Sequence, residues 1–378
     1  MSSAALGHIV KTETIQIMAG AATLAAFTYV PILARDALGT NEFYVTLLVG
    51  AYGMAAFVSS YIFGRAGDIY GRRIILRVGL LIGAASFGLL FFATSPELLF
   101  IVRALNGFAI GMYPGALAAY AYESKMKMGR FASFGALGWG AGTAFAGYAA
   151  GFNIYYAFAV SSVFFMLAFG SALTLPKSQE VQIDVPRFPI ETIKRNLPIY
   201  LAVLIRHSSA HALWTLWPLF LSDLGGNLFV IGLVQATNSI SQVVFMVGMT
   251  DRMKYSHLVS LGLLSTAATF AWFSLVTDIY QIFPAQALLG FSWACLYVGA
   301  LKYVTEENEE RATASGILTS VMSLAQVIGP VIAAILYVLW PGYTAILLFG
   351  MVMSVIAFVT FAFTSKRESF LSRQASQH

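Results

Sequence analysis

The sequence predicts an all-α membrane protein in which twelve transmembrane helices form two pseudo-symmetric six-helix bundles. Three observations carry that prediction. The 378-residue chain is 58% hydrophobic and 10% charged, where a soluble domain has about a quarter of its residues charged; its mean hydropathy is +0.76. Its apolar residues fall in long continuous runs rather than short alternating segments. The second half of the chain also repeats features of the first at a nearly constant offset.

The runs lie at 15–35, 41–63, 74–93, 97–122, 130–150, 152–175, 197–222, 228–250, 257–276, 279–301, 312–338 and 341–364. About 20 apolar residues cross a bilayer core as a helix. A barrel strand would instead be short and alternate with period two, and a helix satisfies its own backbone inside lipid. The first run is too long for a removed signal peptide and has no small-residue cleavage site. The second and third flank a charged island at 64–73. The fifth is rich in glycine, with Gly135, Gly138, Gly140, Gly142, Gly147 and Gly151 at or near it. Between the sixth and seventh, the polar stretch 176–196 carries Pro176, Pro186 and Pro189 with mixed charge and reads as a linker. The expected organisation is therefore a bundle at 1–175, a linker at 176–196, and a bundle with a short tail at 197–378.

Charge fixes the expected orientation. Of 22 Lys and Arg, nineteen fall at the N-terminus, in the tail and in alternate loops, from Lys11 through Arg65, Lys125, Lys194 and Lys302 to Arg373. Arg35 stands in the opposite set of loops, and Arg103 and Arg206 lie inside runs. By the positive-inside rule both termini, and the linker, are expected to be cytoplasmic in a multi-pass protein of the cell membrane. The net charge of +5 then reflects orientation, and no nucleic-acid partner is expected. The single cysteine, Cys295, excludes an internal disulfide and a multi-cysteine metal site.

A shift of 183 residues lays Arg103-Ala-Leu-Asn-Gly107-Phe108 on Gln286-Ala-Leu-Leu-Gly290-Phe291 and Asp68 on Asp251. Tyr113-Pro-Gly-Ala-Leu117 meets Tyr297-Val-Gly-Ala-Leu301 at 184, and Arg130 meets Arg311 at 181. An even number of spans per copy gives both the same orientation, the pattern of a parallel repeat. Such pairs place a substrate site at midplane and work by rocking one half against the other.

The island Gly64-Arg-Ala-Gly-Asp68-Ile-Tyr-Gly71-Arg72-Arg73 resembles the G-x-x-x-D-R-x-G-R-R loop of the major facilitator superfamily, with Ile69 in place of the first arginine. Arg103-x-x-Asn106-Gly107 resembles the R-x-x-Q-G motif of that family's drug–proton antiporters. The likeness covers the whole chain through the 6 + 6 layout. It implies a transporter, with proton-coupled efflux of a small organic solute the leading expectation and the chain a monomer. Two departures stand out: the fifth span has no Gly-Pro element, and the first has no mid-membrane acid. Uptake or facilitated diffusion of a neutral or anionic metabolite, or a sensor that kept the fold without transport, remain open beside it.

Candidate residues follow. Gly64 and Gly71 let the loop turn tightly, Asp68 can face the positive end of a neighbouring helix, and Arg72 can pair with Asp68 or Glu123. With Arg73, the family implies that these latch the cytoplasmic side shut. Arg103, with Asn106 one turn on, is a buried guanidinium, which is costly in lipid and marks a partner or a watery cavity. It could hold an anion, tune a neighbour's protonation, or bond across helices. Arg206, His207 and His211 sit on the seventh span; the histidines share a face, where they could accept protons, bind a metal, or serve as ordinary polar contacts. Gln235, Asn238, Ser239 and Gln242 form one polar stripe, expected to face the seventh span or a cavity. Tyr113, Trp139, Trp214 and Tyr297 could wall a pocket or simply pack.

None of the 17 carboxylates lies at the centre of a run, so neutral or anionic cargo is favoured over large cations. The chain has no G-x-x-x-x-G-K-[ST] loop to bind a nucleotide. It has no nucleophile–base constellation and no metal-ligand cluster either, so neither an enzyme, a resident cofactor nor a metal centre is expected.

Overall fold

The computed structural model describes residues 3–176 and 182–375, with side chains from Val10 to Thr364 apart from Glu42, Leu228 and Phe229. Lys177 and Glu180 of the expected linker, and the side chains of Lys366, Arg367, Glu368 and Arg373, lie outside the described residues. Among the described residues twelve long helices follow one another: α1 (Ser3–Phe27), α2 (Glu42–Tyr70), α3 (Arg72–Leu89), α4 (Pro96–Glu123), α5 (Met128–Ala150), α6 (Ile154–Leu173), α7 (Leu197–Asp223), α8 (Leu228–Gly248), α9 (Tyr255–Leu275), α10 (Ile282–Glu306), α11 (Arg311–Leu339) and α12 (Thr344–Ala375). Among the described residues there is no strand. The fold is all-helical, as the sequence predicts.

Ten of these helices are long and apolar enough to cross a membrane. The other two are α5, where glycine replaces larger apolar residues, and α7, which carries Arg206, His207, Ser208, Ser209 and His211 mid-helix. Many outward-facing side chains are apolar; Ile62, Val163, Leu275, Val338 and Phe363 are 47% to 80% exposed. Such a surface is solvated by hydrocarbon, where each helix satisfies its own backbone.

Helix starts follow from side-chain acceptors. Asn41, Ser95, Asn153 and Asn227 accept from the N–H of Tyr44, Leu98, Tyr155 and Val230 at 2.9, 3.2, 2.9 and 2.9 Å, satisfying donors that a helix N-terminus leaves open. A single residue, Gly71 at φ +102°, ends α2 and begins α3; side chains rarely tolerate that backbone. Helix α4 breaks at Tyr113 because Pro114 returns no N–H to the preceding turn.

The helices cluster into two units. One comprises Met1–Pro189 with Val304–Ser323, the other Ile190–Tyr303 with Leu324–His378. In the first, α1 packs on α5 and α6, α2 on α4, and α3 on α4 and α6. Glycine sets the closest approaches: Gly138 and Gly142 lie on the backbone of Ile17 and Ala21, Gly107 on that of Tyr52, and Gly111 on Ala56 and Ser59. A Cβ at any of these would overlap its neighbour, so the four-residue glycine steps are packing contacts. In the second unit, α12 packs on α7 and α9 around a core that includes Leu213, Trp217, Phe270, Phe273, Ile282 and Leu347. Gly262 lies on Leu296 of α10, and Gly290 on Asn238 and Ser241 of α8.

Candidate functional site

In the first unit the 64–73 island becomes a buried charge cluster. Asp68, in the last turn of α2, is 1% exposed. Its Oδ1 accepts from Arg72 Nη2 at 2.9 Å and from the Ala312 N–H at 3.2 Å. Its Oδ2 accepts from the N–H and the hydroxyl of Thr313, each at 2.7 Å. The carboxylate thus caps α11, whose first N–H groups have no helical partner and carry the positive end of the helix dipole. Hydrogen bonds to a charged acceptor contribute about 1.5–3 kcal/mol each. Arg72 also pairs with Glu123 through its other Nη, and Arg311 Nη1 lies 3.8 Å from the same Glu123. Arg73 is half-buried in the first turn of α3.

This cap needs close backbones. A Cβ on Gly64 would lie 2.8 Å from the Ala312 carbonyl oxygen and 2.8 Å from Gly316 Cα; one on Gly115 would lie 2.7 Å from the Ala312 oxygen. The described part of the linker is fastened to the same loop. Ile183 N–H donates to the Asp68 carbonyl at 3.0 Å, Arg65 Nε to the Val185 and Pro186 carbonyls at 2.8 and 2.9 Å, and Tyr61 to Arg187 O at 2.8 Å.

Farther along α4, still in the first unit, Arg103 is 2% exposed and Asn106 fully buried. The guanidinium lies 3.9 Å from the Tyr52 ring centroid and 5.5 Å from that of Phe27. Arg103 Nε and Nη1, and both polar side-chain atoms of Asn106, have no hydrogen-bond partner. A cation over an aromatic face gains about 0.5–2 kcal/mol, whereas removing an ion from water costs several. The rings alone do not offset that burial.

In the second unit a polar cluster spans α7, α9 and α10. Arg206, 2% exposed, donates through Nε to Thr266 Oγ1 at 3.2 Å. Its Nη1 lies 3.4 Å from His207 Nδ1, and His207 and His211 meet Nε2 to Nε2 at 3.2 Å. The Trp293 indole stacks on His207 at 5.1 Å, with Arg206 5.4 Å from its centroid, and Tyr297 stacks on Trp293 at 5.3 Å. Thr266 in turn contacts Ser292 at 3.0 Å. The α8 stripe meets α10 rather than α7: Asn238 Nδ2 donates to Gln286 Oε1 at 3.0 Å, and Gln242 Nε2 to Asn238 Oδ1 at 2.6 Å. Gly290 explains this, because it lets the α8 and α10 backbones touch beside Asn238.

Other candidates stand apart. Gln235 is exposed. Tyr113 packs edge-on against Phe165, at 6.1 Å, nearly three turns along α4 from Arg103. Trp139 lies against Gly20 of α1, and Trp214 packs on Trp217, at 5.3 Å, at the core of the second unit. Among the described residues, no group of three or more His, Cys, Asp or Glu could hold a metal. Sequence reasoning does not single out Thr313, Tyr52 or Thr266. They act through backbone position, ring face and a single hydroxyl, none of which leaves a spacing signal.

Long apolar helices in two repeated units, with buried cations and imidazoles where a soluble core would be dry, define a polytopic membrane protein of the transport class. The chain belongs to the Major Facilitator Superfamily, whose pattern matches residues 14–197 and 199–377. It is a transporter of that family, with no enzymatic role indicated by membership. It is 23% identical over 346 residues to the class B tetracycline resistance protein of Escherichia coli, covering 83% of this chain and 85% of that protein. Its fold is similar to that of the human organic anion transporter MFSD10 (TETRAN), with a TM-score of 0.78, 15% identity, and coverage of 96% of this chain and 100% of that one. A mutant of the nucleoside transporter NupG matches at a TM-score of 0.66 and 14% identity, covering 94% of this chain and 99% of that one.

Proposed function

We propose that this chain is a secondary active transporter that exports a small organic solute across the cell membrane by alternating access, driven by protons. It acts as a monomer with both termini in the cytoplasm, the orientation favoured by its alternating basic loops. The observation that carries the reading is the buried Asp68 cap. Residues 304–323 come from the second half of the sequence yet cluster with the first unit, and Asp68 accepts three hydrogen bonds from Ala312 and Thr313 there. Making and breaking that cap is a two-state event of the kind alternating access requires. Glu123, bridging Arg72 and Arg311, belongs to the same latch.

The His207–His211 pair is the coupling element. Imidazole both accepts and donates a proton, and the two Nε2 atoms lie 3.2 Å apart, within hydrogen-bond distance. Outward direction is supported by the likeness to a tetracycline resistance protein and by the Arg103-x-x-Asn106-Gly107 element.

Flux of tetracycline into proteoliposomes holding the full chain, with and without an imposed pH gradient, tests the reading. A gradient-dependent flux that loses its pH response in a His207→Gln/His211→Gln double variant is expected. Wild-type flux indifferent to the gradient would remove the proton. Absence of flux for tetracycline and for nucleosides and organic anions alike would remove transport.

A further inference from the structure

Arg103 and Asn106 lie one helical turn apart on α4 and so share a face. Four of their side-chain polar atoms, Arg103 Nε and Nη1 and Asn106 Nδ2 and Oδ1, are buried with no hydrogen-bond partner. No carboxylate pairs with Arg103 among the described residues; its neighbours are the rings of Tyr52 and Phe27. A guanidinium stays charged at every physiological pH, and it presents paired donors that match an oxyanion.

The repeat shows what the fold itself asks for at this place. At the 183-residue offset the second unit carries Gln286 for Arg103 and Leu289 for Asn106. Gln286 is neutral and 1% exposed, and its Oε1 accepts from Asn238 at 3.0 Å. Both units use the glycine one residue past Asn106 or Leu289, Gly107 or Gly290, to seat this helix on its neighbour. A six-helix unit is therefore built without a cation at the position, and the arginine answers to something other than packing. Water could satisfy the N–H groups, but it would leave the charge unbalanced in a low-dielectric setting.

We propose that Arg103 and Asn106 form the receiving site for the anionic head of a small organic acid. The guanidinium takes the carboxylate, Asn106 Nδ2 supplies a further donor, and the Tyr52 and Phe27 rings supply an apolar wall. The inference rests on the transport reading only in naming that acid as cargo. Binding is read on the purified chain without any flux, so the two can fail separately.

The probes are benzoate, its neutral counterpart benzamide, and chloride, titrated onto the detergent-purified full chain in halide-free zwitterionic buffer, with the unfolding midpoint followed. Benzoate is expected to raise the midpoint in a dose-dependent way and benzamide to leave it in place. Arg103→Gln, the residue of the second unit, should weaken the benzoate response about tenfold or more, with its midpoint in anion-free buffer no lower than that of the parent. Should that variant not fold, Asn106→Leu, again taken from the second unit, should weaken benzoate while folding normally. A benzoate response kept in both variants, or absent from the parent, overturns the proposal. A response to chloride alone assigns the arginine to an inorganic ion and overturns its role as a carboxylate receiver.

Discussion

The two units share a plan and differ in their charges. In both, a glycine on the third helix of the repeat lies on the fourth: Gly79 on Tyr113, and Gly262 on Leu296, each pair offset by 183 residues. In both, a glycine of the fourth helix seats it on the second. At the polar positions they part. Asp68 is buried and caps α11, whereas Asp251 is half-exposed in a short turn after α8. Gly64, Gly71 and Arg72 correspond to Val247, Lys254 and Tyr255, so the second loop has no glycine at the place of close approach, and its arginine, Arg252, stands beside Asp251 rather than one helical turn beyond it. Where the first unit buries Arg103 without a hydrogen-bonding partner for Nε and Nη1, the second buries a satisfied Gln286. Gly79/Gly262 and Gly107/Gly290 are shared packing positions, whereas Arg103 and Arg72 have no charged counterpart at Gln286 and Tyr255.

That contrast can be broken most forcefully by moving the cation. Gln286→Arg would bury a second guanidinium and strand Asn238, and it should cost about 3–5 kcal/mol, the range for an uncompensated buried charge. Thermal unfolding of the purified chain would read this as a large fall in midpoint, or as failure to fold. A midpoint equal to the parent's would mean the second unit tolerates a cation as the first does, and the comparison would lose its meaning.

Next in size is Asp68→Asn. The amide keeps the shape but gives up the charge that receives the Thr313 and Ala312 donors and the Arg72 pair, a loss of about 1.5–3 kcal/mol. Turnover in proteoliposomes of any solute the parent chain is found to carry should fall while equilibrium binding persists. The matched change Asp251→Asn, at a half-exposed site, should cost less than Asp68→Asn. Equal losses from the two variants would show that the cap carries no special role. Close behind comes Gly64→Leu, which drives a side chain into the Ala312 carbonyl and Gly316, an overpacking worth about 1–3 kcal/mol. Val247→Leu at the corresponding position is 57% exposed and should leave unfolding unchanged.

Much of this was legible in the sequence, and the reasons are physical. Bilayer thickness sets helix length, so runs of about 20 apolar residues locate the spans; the structure carries α2 about two turns past the C-terminal end of its run, whereas α11 differs from its run by one residue at each end. Helix α7 shows the limit. Its Arg206, His207 and His211 lower its apolarity below that of a clear span, yet Arg206 and His207 are buried against Thr266 of α9 and Trp293 of α10, and the half-buried His211 meets His207. Site geometry was harder to read. The pairing of Asp68 with Thr313 joins residues 245 apart, and no local spacing encodes that. The stripe on α8 was visible as a stripe, but its partner Gln286 depended on which helix Gly290 brings close. Tyr52 is an ordinary aromatic until Arg103 lies over its ring.

The smallest effect expected lies at the end of the second unit, where the first has no counterpart. Tyr343, just before α12, donates its hydroxyl to Asp223 Oδ2 at 2.6 Å, while the offset position in the first unit is Val160. Partial burial, and then the Asp223 carboxylate beside it, push the Tyr343 phenol up to about 12 from an ordinary value of 10.0. The folded chain thus favours the neutral phenol. The stabilisation it brings is fully present below pH 10 and is lost as pH rises through about 12. Tyr343→Phe should cost no more than about 0.5–1.5 kcal/mol, the net value of one hydrogen bond, reduced further by the exposure of Asp223. Unfolding midpoints of parent and variant should differ by a small constant from neutral pH to 10 and converge above 12. A difference that widened with alkali would mean that the phenolate, rather than the phenol, is the form the second unit holds.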